Sequence, residues 1–283
     1  MVMICAGIVS YNPDLNRLKE SIDALCKQVK KVYLVDNGSD NISDVKEIAK
    51  NYAIELISNE KNYGIAKALN QLCENAMLDG YSWILTLDQD TVVASNLIRL
   101  MQKYCSDENI GILCPTVKYE GWNNRNNYKK HNKDLTEVSA CMTSASLTRL
   151  DAWKLVAGFR EEYFIDFVDN EFCMKLRLHG YKIVRVETCT ISHQLGESNE
   201  IIIFGIFKIR YTVHSSLRFY YMSRNNWAFI HEYKDHLNFP KEIIKFLYVM
   251  SKGVIFAKDR NSTVKNIFKG IKDANSNQFG QYM

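Results

Sequence analysis

The chain has 283 residues, of which 47% are hydrophobic and 24% are charged. This composition is typical of globular proteins and excludes a mainly disordered chain, while 13 glycines and 3 prolines exclude collagen-like and low-complexity classes. The net charge of +4 is uneven, because residues 208–283 carry +8 and residues 1–207 carry −4. The basic C-terminal quarter indicates contact with something anionic, and the acidic remainder argues against nucleic acid.

The cysteines and the apolar stretches indicate the cellular compartment of the protein. No two of the eight cysteines lie within three residues of each other, which excludes paired-cysteine zinc and redox motifs. We expect free, buried thiols in a reducing cytoplasm. The longest apolar stretch, at 201–207, is far shorter than the ~20 residues of a membrane-spanning helix, and the N-terminus lacks the basic start of a signal peptide.

The first two hundred residues alternate between short apolar runs and segments with apolar residues at helical spacing. In chain order, we expect strands at 4–10, 32–35, 54–57, 83–87, 111–117 and 182–191, and helices at 15–29, 43–52, 64–78, 97–104, 151–156 and 164–179. This alternation predicts an α/β fold, with a Rossmann-like, mostly parallel central sheet flanked by helices.

Two further segments are predicted from composition. Residues 122–133 are rich in Asn and Lys and predict a surface loop. The chain changes character near residue 201, where aromatic residues begin to mix with Lys and Arg, and we expect an appended helical region there. The sequence therefore predicts two parts, at 1–200 and 201–283.

Polar, oxygen-rich residues follow three of the predicted strands. In parallel sheets, ligands bind at the carboxyl ends of the strands, and these ends meet at one edge. We therefore expect a polar ligand site built from three turns, which are Ser10-Tyr11-Asn12, Asp36-Asn37-Gly38 and Asp88-Gln89-Asp90.

Acidic residues in these turns suggest specific chemistry. Asp88 and Asp90 can reach one divalent cation, because Mg²⁺ and Mn²⁺ prefer oxygen ligands and share them with phosphates. The alternative is a turn whose two acids cap the next helix. Asp36 either accepts hydrogen bonds from a nucleobase or ribose, or is an ordinary turn residue.

A second acidic group lies at the start of the helical pattern at 164–179. Asp166, Asp169 and Glu171 either favour the helix dipole or include a general base for an acceptor hydroxyl. Asp166 and Asp169 are three residues apart and would share a helical face. His193, after the last predicted strand, is either a metal ligand or a structural histidine.

Six sequence blocks occur in one order, and together with a further motif at 220–226 the matches cover about residues 4–226. They are VSYNP (9–13), LVDNGS (34–39), NYGIAKALN (62–70), LDQDT (87–91), FIDFVDNEFCMKLRLHGYKI (164–183) and SHQLG (192–196). Together they resemble the inverting family 2 glycosyltransferases of the GT-A fold. With YYMSRNN (220–226), the fourth and fifth blocks are most similar to bacterial rhamnosyltransferases of cell-surface polysaccharide assembly, such as O-antigen or capsule.

The resemblance implies a role for each acidic position. Asp36 would read the uracil or thymine ring of a nucleotide-sugar donor, and Asp88 would face its ribose or diphosphate. Asp90 would ligate Mg²⁺ or Mn²⁺, and His193 would be a second metal or diphosphate contact. Asp169 falls at the catalytic base, although many relatives have an acid where this chain has Val168.

Further donor contacts follow from the blocks themselves. Ser10 and Tyr11 in VSYNP and Asn62 in NYGIAKALN are candidate donor-binding residues. Leu69 stands where some relatives carry a donor-binding Arg, and Lys67 is a candidate substitute. The implied domains are a nucleotide-sugar-binding, catalytic part at 1–200 and a basic helical part at 201–283 on the acceptor or membrane side.

The resemblance also implies the reaction and its setting. The donor would be dTDP-L-rhamnose, with a UDP-hexose as the alternative, and the acceptor a saccharide carried on a lipid such as undecaprenyl diphosphate. Aromatic residues interleaved with Lys at 239–271 predict either contact with the inner face of the cell membrane or a helical pair packed on the catalytic domain.

Two rival classes remain at this point. LDQDTV also fits the haloacid dehalogenase phosphatases, in which Asp88 would be a nucleophile. That motif usually opens its domain, whereas three predicted strands precede it here. The other rival is a binding or scaffold subunit with a decayed site, and the acids at 36, 88, 90 and 169 argue against it.

Overall fold

The computed structural model describes residues 2–119, 134–193, 198–203, 207–212 and 214–282. The predicted loop at 122–133 lies outside these residues. The chain divides into two compact units. We call Met1–Glu161 with Val168–His193 the sheet unit, and Glu162–Phe167 with Gln194–Met283 the helical unit.

The sheet unit alternates strands and helices as the sequence predicts. Its strands are β1 (Ile4–Ser10), β2 (Val32–Asp36), β3 (Glu55–Ser58), β4 (Trp83–Asp88), β5 (Ile110–Tyr119), β6 (Leu135–Val138), β7 (Ser146–Arg149) and β8 (Lys182–His193). Its helices are α1 (Leu15–Cys26), α2 (Ile42–Asn51), α3 (Ile65–Leu78), α4 (Leu97–Gln102), α5 (Leu150–Leu155) and α6 (Val168–Leu178). The short strands β6 and β7 are additions that the sequence pattern did not resolve.

The eight strands form one sheet in the order β3-β2-β1-β4-β7-β5-β8-β6. Strand β1 pairs in parallel with both β2 and β4, and β2 pairs in parallel with β3. Strands β5 and β8 are also parallel, whereas β7 runs antiparallel to β4 and β5, and β6 runs antiparallel to β8. The prediction of a mostly parallel central sheet with flanking helices is confirmed.

Burial explains why the central strands are continuous apolar runs. Every residue of β2 is buried, and so are six of the seven residues of β1. Strands covered on both faces need apolar side chains on both, so the period-two alternation of a half-buried strand is lost. The helices cover the sheet with one face only, as α1 does by burying Leu18, Ile22 and Leu25.

Among its described residues, the helical unit contains an antiparallel pair of strands and three α-helices. Strands β9 (Ser198–Ile203) and β10 (Phe207–Thr212) pair antiparallel, and the helices are α7 (Ser216–Glu232), α8 (Phe239–Phe256) and α9 (Arg260–Asn275). The prediction of helix from about residue 201 was wrong for the first dozen residues. Isoleucine and aromatic residues are enriched there, and these residue types favour strands. Beyond Ser216, the predicted helical region is confirmed.

Helices α7 and α9 cross closely at Gly270. A Cβ atom at this position would lie 2.5 Å from the carbonyl oxygen of Tyr220 in α7. Glycine is therefore required by the approach of the two helices rather than by a turn.

All eight cysteines are free thiols, as predicted. Most are buried, and burial raises the pKa of the Cys105 thiol to about 12, although the positive charge of Arg149 opposes the shift. A thiol with so high a pKa is unreactive at neutral pH. Across the described part of the chain, no helix is both long and apolar enough to span a membrane.

Candidate active site

The carboxyl ends of β2, β1 and β4 lie side by side in the sheet. Ser10 of β1 is in register with Asp36 of β2, and Val9 is in register with Asp88 of β4. The strand order therefore brings the three polar turns to one edge, as the sequence predicts. Strand β1 is at the centre, and its last residue lies between the two acidic strand ends.

Asp36 is fully buried beneath this edge. Its Oδ2 atom accepts hydrogen bonds from the hydroxyls of Ser10, at 3.2 Å, and Ser39, at 2.5 Å. Its Oδ1 atom accepts from the backbone N–H of Ser39 at 2.9 Å. These bonds compensate for the removal of a polar group from water, and they make Asp36 the anchor of the turn that follows β2.

A network of asparagines joins that turn to the start of α3. The side-chain amide of Asn37 donates to Asn62 Oδ1 at 3.0 Å and to the carbonyl of Gly64 at 3.1 Å. Asn37 Oδ1 accepts from the backbone N–H of Tyr63 at 3.1 Å. Asn62 Oδ1 also accepts from the backbone N–H of Gly64 at 2.8 Å. The predicted donor residue Asn62 thus orients the loop that leads into α3.

Gly38 allows the two loops to approach each other. Its φ is +82°, and a Cβ atom there would lie 2.6 Å from backbone atoms of Lys61. An L-residue would meet both an unfavourable backbone conformation and a steric clash with main chain that cannot turn away.

We expect Gly38→Ala to destabilise the fold by about 2 kcal/mol or more, since the conformational cost of ~1 kcal/mol is joined by the clash with Lys61. Gly80→Ala is the matched control, because Gly80 has a φ of +81° and a Cβ atom added there would have no neighbour within 4 Å. Urea denaturation of both variants measures the difference. Equal losses of stability in the two variants would show that the predicted clash with Lys61 does not contribute to the free energy of unfolding.

The turn after β4 is held by buried hydroxyls. The backbone N–H of Asp88 donates to Ser144 Oγ at 3.0 Å, and that hydroxyl donates to Thr91 Oγ1 at 2.9 Å. The backbone N–H of Thr91 closes the turn by donating to the carbonyl of Asp88 at 3.1 Å. Asp88 is half-buried and Asp90 is exposed, so the turn presents its second carboxylate to solvent.

Residues from two other segments of the chain form hydrogen bonds with the same turn. The backbone N–H of Tyr11 donates to Gln89 Oε1 at 2.7 Å, and Arg17 Nε donates to the carbonyl of Asp90 at 2.8 Å. Tyr11 is 47% exposed. Sequence reasoning placed Gln89 in the site without a role and missed Arg17, because both contacts join residues more than seventy positions apart.

The donor set at this turn suits a hard divalent cation. Two carboxylates one residue apart supply the oxygen ligands that Mg²⁺ and Mn²⁺ prefer, and substrate phosphates commonly complete such sites. Within the described residues, no group of three or more His, Cys, Asp or Glu side chains could hold a metal ion. His193 is the last residue of β8 and is in register with Tyr119, but its side chain lies outside the described part of the structure.

The structure revises the start of the helix that was predicted at 164–179. Helix α6 begins at Val168, so Asp169 and Glu171 lie in its first turn and Asp166 precedes it. The shared helical face of Asp166 and Asp169 was therefore a wrong prediction. The preceding residues Phe164, Asp166 and Phe167 have φ angles of +62°, +65° and +64°, which a helix does not allow.

The three acids of this region differ in environment. Asp169 is half-buried, and its Oδ1 accepts a hydrogen bond from the backbone N–H of Asn170 at 2.9 Å. Glu171 is 2% exposed, with Lys175 Nζ at 3.4 Å from its Oε2. In the helical unit, Asp166 forms an ion pair with Arg218 at 3.0 Å. Of the two acids in the first turn of α6, Asp169 is thus the one that remains partly accessible to solvent.

Lys67 projects from the first turns of α3. Its Nζ lies 3.1 Å from Glu161 Oε1, and Asn70 donates to the same oxygen at 2.9 Å. Asn70 also accepts from Trp153 Nε1 at 3.0 Å. The amide of Asn70 therefore has a structural role, and Lys67 shares its acidic neighbour.

The motif YYMSRNN has a structural function within the helical unit. Asn225 of α7 is buried, and its amide donates to the carbonyls of Tyr163, Ile165 and Asp166 at 2.8–2.9 Å. Arg224, also buried, donates to the carbonyls of Tyr163 at 3.0 Å and Gly280 at 2.7 Å. We call residues 164–167 the left-handed segment. Hydrogen bonds from these two side chains to this segment and its neighbours replace the backbone hydrogen bonds that a helix would make.

Family comparison identifies the class of protein. Residues 5–168 match the family model described as Glycosyl transferase family 2, which is more than half of the chain. The chain belongs to glycosyl transferase family 2, and its mixed, mostly parallel sheet with flanking helices is a GT-A fold. It is therefore a glycosyltransferase, and the predicted family resemblance is confirmed.

A bacterial relative and two solved structures are similar to the chain. The dTDP-rhamnosyl transferase RfbF of Shigella flexneri is 29% identical over 281 residues, which cover 95% of this chain and 93% of the relative. Mannosyltransferase PcManGT from Pyrobaculum calidifontis, solved with GDP-Man and Mn²⁺, has a TM-score of 0.63 at 12% identity and covers 97% of this chain and 87% of its own. TarS 1–349 of S. aureus with UDP has a TM-score of 0.57 at 15% identity, covering 98% and 92%. These structures support the fold.

Proposed function

We propose that the protein transfers L-rhamnose from dTDP-L-rhamnose to a hydroxyl of a saccharide acceptor in surface polysaccharide assembly. The observation that carries this proposal is the similarity to the dTDP-rhamnosyl transferase of Shigella flexneri over 95% of the chain. The assignment of the family excludes the phosphatase interpretation of Asp88, and the polar edge of the sheet supports an enzyme over a scaffold.

The donor site lies at the ends of β1, β2 and β4. Asp36, which is anchored by Ser10 and Ser39, would read the uracil or thymine ring of the donor. Tyr11 is exposed at the same edge of the sheet. Asp88 would face the ribose or diphosphate. The family resemblance also makes Asn62 and Lys67, at the start of α3, candidate contacts to the donor.

A divalent cation, Mg²⁺ or Mn²⁺, belongs to this proposal. Asp90, with His193 as a second contact, would hold it, and the exposure of Asp90 leaves room for diphosphate oxygens. When bound, the cation neutralises charge that develops on the leaving diphosphate. The Mn²⁺ of the mannosyltransferase structure supports a metal in this fold.

Asp169 serves as the general base. Its carboxylate accepts the proton of the acceptor hydroxyl, and the hydroxyl oxygen forms the new bond to the anomeric carbon. The bond from that carbon to the diphosphate breaks on the opposite face, and the diphosphate leaves with the electron pair. The configuration at the anomeric carbon inverts. Base catalysis of this kind contributes about 10²–10⁴-fold.

The acceptor side is assigned to the C-terminal part. A saccharide on a lipid diphosphate, such as undecaprenyl diphosphate, would be met at the inner face of the cell membrane, and the basic residues 208–283 suit that location. The domains of the proposal are the donor-binding, catalytic region at 1–200 and the acceptor or membrane region at 201–283. A UDP-hexose is the alternative donor.

A thermal-shift panel tests the proposed donor. The protein is melted with dTDP-L-rhamnose, UDP-glucose, UDP-galactose, UDP-N-acetylglucosamine or GDP-mannose, each with and without Mn²⁺. A ligand that binds only the folded state adds about 2.7 kcal/mol of stability at a hundredfold excess over Kd. We expect the largest Mn²⁺-dependent shift with dTDP-L-rhamnose. A shift with a UDP-hexose alone would show that this nucleotide sugar is the donor instead of dTDP-L-rhamnose. No shift with any of the nucleotide sugars would contradict the proposed donor site.

Asp90→Ala tests the proposed metal ligand in the same panel. We expect the variant to fold but to lose the part of the donor shift that depends on Mn²⁺, since it removes an oxygen ligand. Asp44→Ala is the control, because Asp44 is an exposed acid in the first turn of α2. An unchanged Mn²⁺-dependent shift in Asp90→Ala would contradict the assignment.

A further inference from the structure

Helix α8 presents large apolar side chains to solvent. Ile244, Leu247, Tyr248 and Ile255 are 68%, 57%, 64% and 58% exposed. Leu247 and Tyr248 follow Ile244 by three and four residues, and Ile255 follows Tyr248 by seven. This spacing places the four side chains on one face of the helix, which we call the α8 stripe. A surface helix normally turns polar residues outward, so this pattern needs an explanation.

The other face of α8 already packs within the helical unit. Phe246 and Met250 are buried, and the ring of Phe246 lies 5.3 Å from the ring of Trp227 in α7. The helix therefore has its own core contacts, and the α8 stripe is a second apolar face.

The positively charged side chains of α8 lie next to its exposed apolar face. At 100° per residue, Lys241, Lys245 and Lys252 project along one flank of the α8 stripe. The acidic residue of this helix, Glu242, turns toward the packed side, where its side chain is 25% exposed and its carboxylate lies 3.5 Å from Lys245 Nζ. The outward face thus combines apolar side chains with positive charge.

We propose that the α8 stripe and its flanking lysines dock on an anionic lipid surface. Interfacial helices insert apolar side chains at the boundary of head groups and acyl chains while lysines contact anionic head groups. The net charge of +8 in residues 208–283 adds long-range attraction to such a surface.

Charge also argues against a second copy of the chain as the occupant. In a symmetric contact through the α8 stripe with the two helices antiparallel, the lysine flanks of both copies would lie on the same side, and this repulsion opposes association. A negatively charged surface has the opposite effect on the same lysines. The proposal deepens the membrane location of the proposed function, and its test uses neither donor nor acceptor.

Vesicle co-sedimentation tests the proposal with the full chain. Vesicles of phosphatidylglycerol and phosphatidylethanolamine are compared with vesicles of phosphatidylcholine alone. We expect the wild-type chain to sediment with the anionic vesicles, and at least tenfold less with the neutral ones. Ile244→Ser with Ile255→Ser should lower anionic binding at least tenfold. Lys241→Gln with Lys245→Gln should lower it and weaken its dependence on salt.

Leu78→Ser with Leu155→Ser is the matched control. These leucines are 84% and 59% exposed in the sheet unit, so the same chemical change is made outside α8. Thermal melting checks that each variant is folded, and the donor shift checks the catalytic site separately. Equal binding by the α8 and control variants, or no binding by the wild type, would overturn the proposal. So would a dimer that Ile244→Ser with Ile255→Ser abolishes in sedimentation velocity.

Discussion

Replacing Asp169 by Asn is expected to reduce kcat by about 10²–10⁴-fold while donor binding is retained. Asn keeps the size of the side chain and can still accept the hydrogen bond from Asn170, so the first turn of α6 stays intact. It cannot accept a proton from the acceptor hydroxyl at neutral pH. Turnover assays with donor and acceptor, together with the thermal shift on donor addition, separate the loss of chemistry from a loss of binding.

Asp166→Asn is the matched comparison for this prediction. Asp166 is three residues away, and its carboxylate is held by Arg218 at 3.0–3.3 Å. Asn tolerates the left-handed φ of +65° at this position, so the backbone can remain as it is. We expect this variant to keep most of its activity. Near-wild-type turnover by Asp169→Asn, or a larger loss in Asp166→Asn, would contradict the assignment of the base.

Asn225→Leu is expected to destabilise the helical unit by about 3 kcal/mol. The substitution keeps the branching of the side chain but removes the amide that donates to the carbonyls of Ile165 and Asp166, and the acceptor for Arg224 Nε at 2.9 Å. Buried polar groups that lose a partner cost more than the bond itself contributed. Urea and thermal denaturation measure the loss.

Asn261→Leu provides the corresponding surface substitution. Asn261 is exposed in α9, and such a change is expected to alter stability by no more than about 0.5 kcal/mol. Limited proteolysis should also cleave Asn225→Leu faster near residues 162–167, because that segment loses its donors. Equal stability of the two variants would show that Asn225 does not maintain the left-handed segment.

Much of the sheet unit could be predicted because its elements have strong local signals. The apolar runs that became β1, β2 and β4 are short and end in turn residues, and α3 has a complete amphipathic period. Weaker signals failed. Strands β6 and β7 have four residues each, which is too short for a period to show.

The start of α6 was mispredicted for a different reason. The pattern of Phe, Asp and Val at 164–169 is compatible with a helix, and local propensity cannot indicate three left-handed residues within four positions. That conformation depends on carbonyl bonds to Asn225 and Arg224, which lie about sixty positions later. Distant side chains therefore decided a local structure, which is a tertiary override of propensity.

The sequence by itself determined the family, the alternation of strands and helices, and the acidic residues at the strand ends, because all of these are written in short motifs and local periodicity. Only the tertiary structure decided that Ser10 and Ser39 bind the buried carboxylate of Asp36, and that Ser144 supports the turn at Asp88. It also decided that the apolar residues of α8 split into a packed face and an exposed one. Such contacts depend on which elements become neighbours in space, and a single sequence carries no local signal for that.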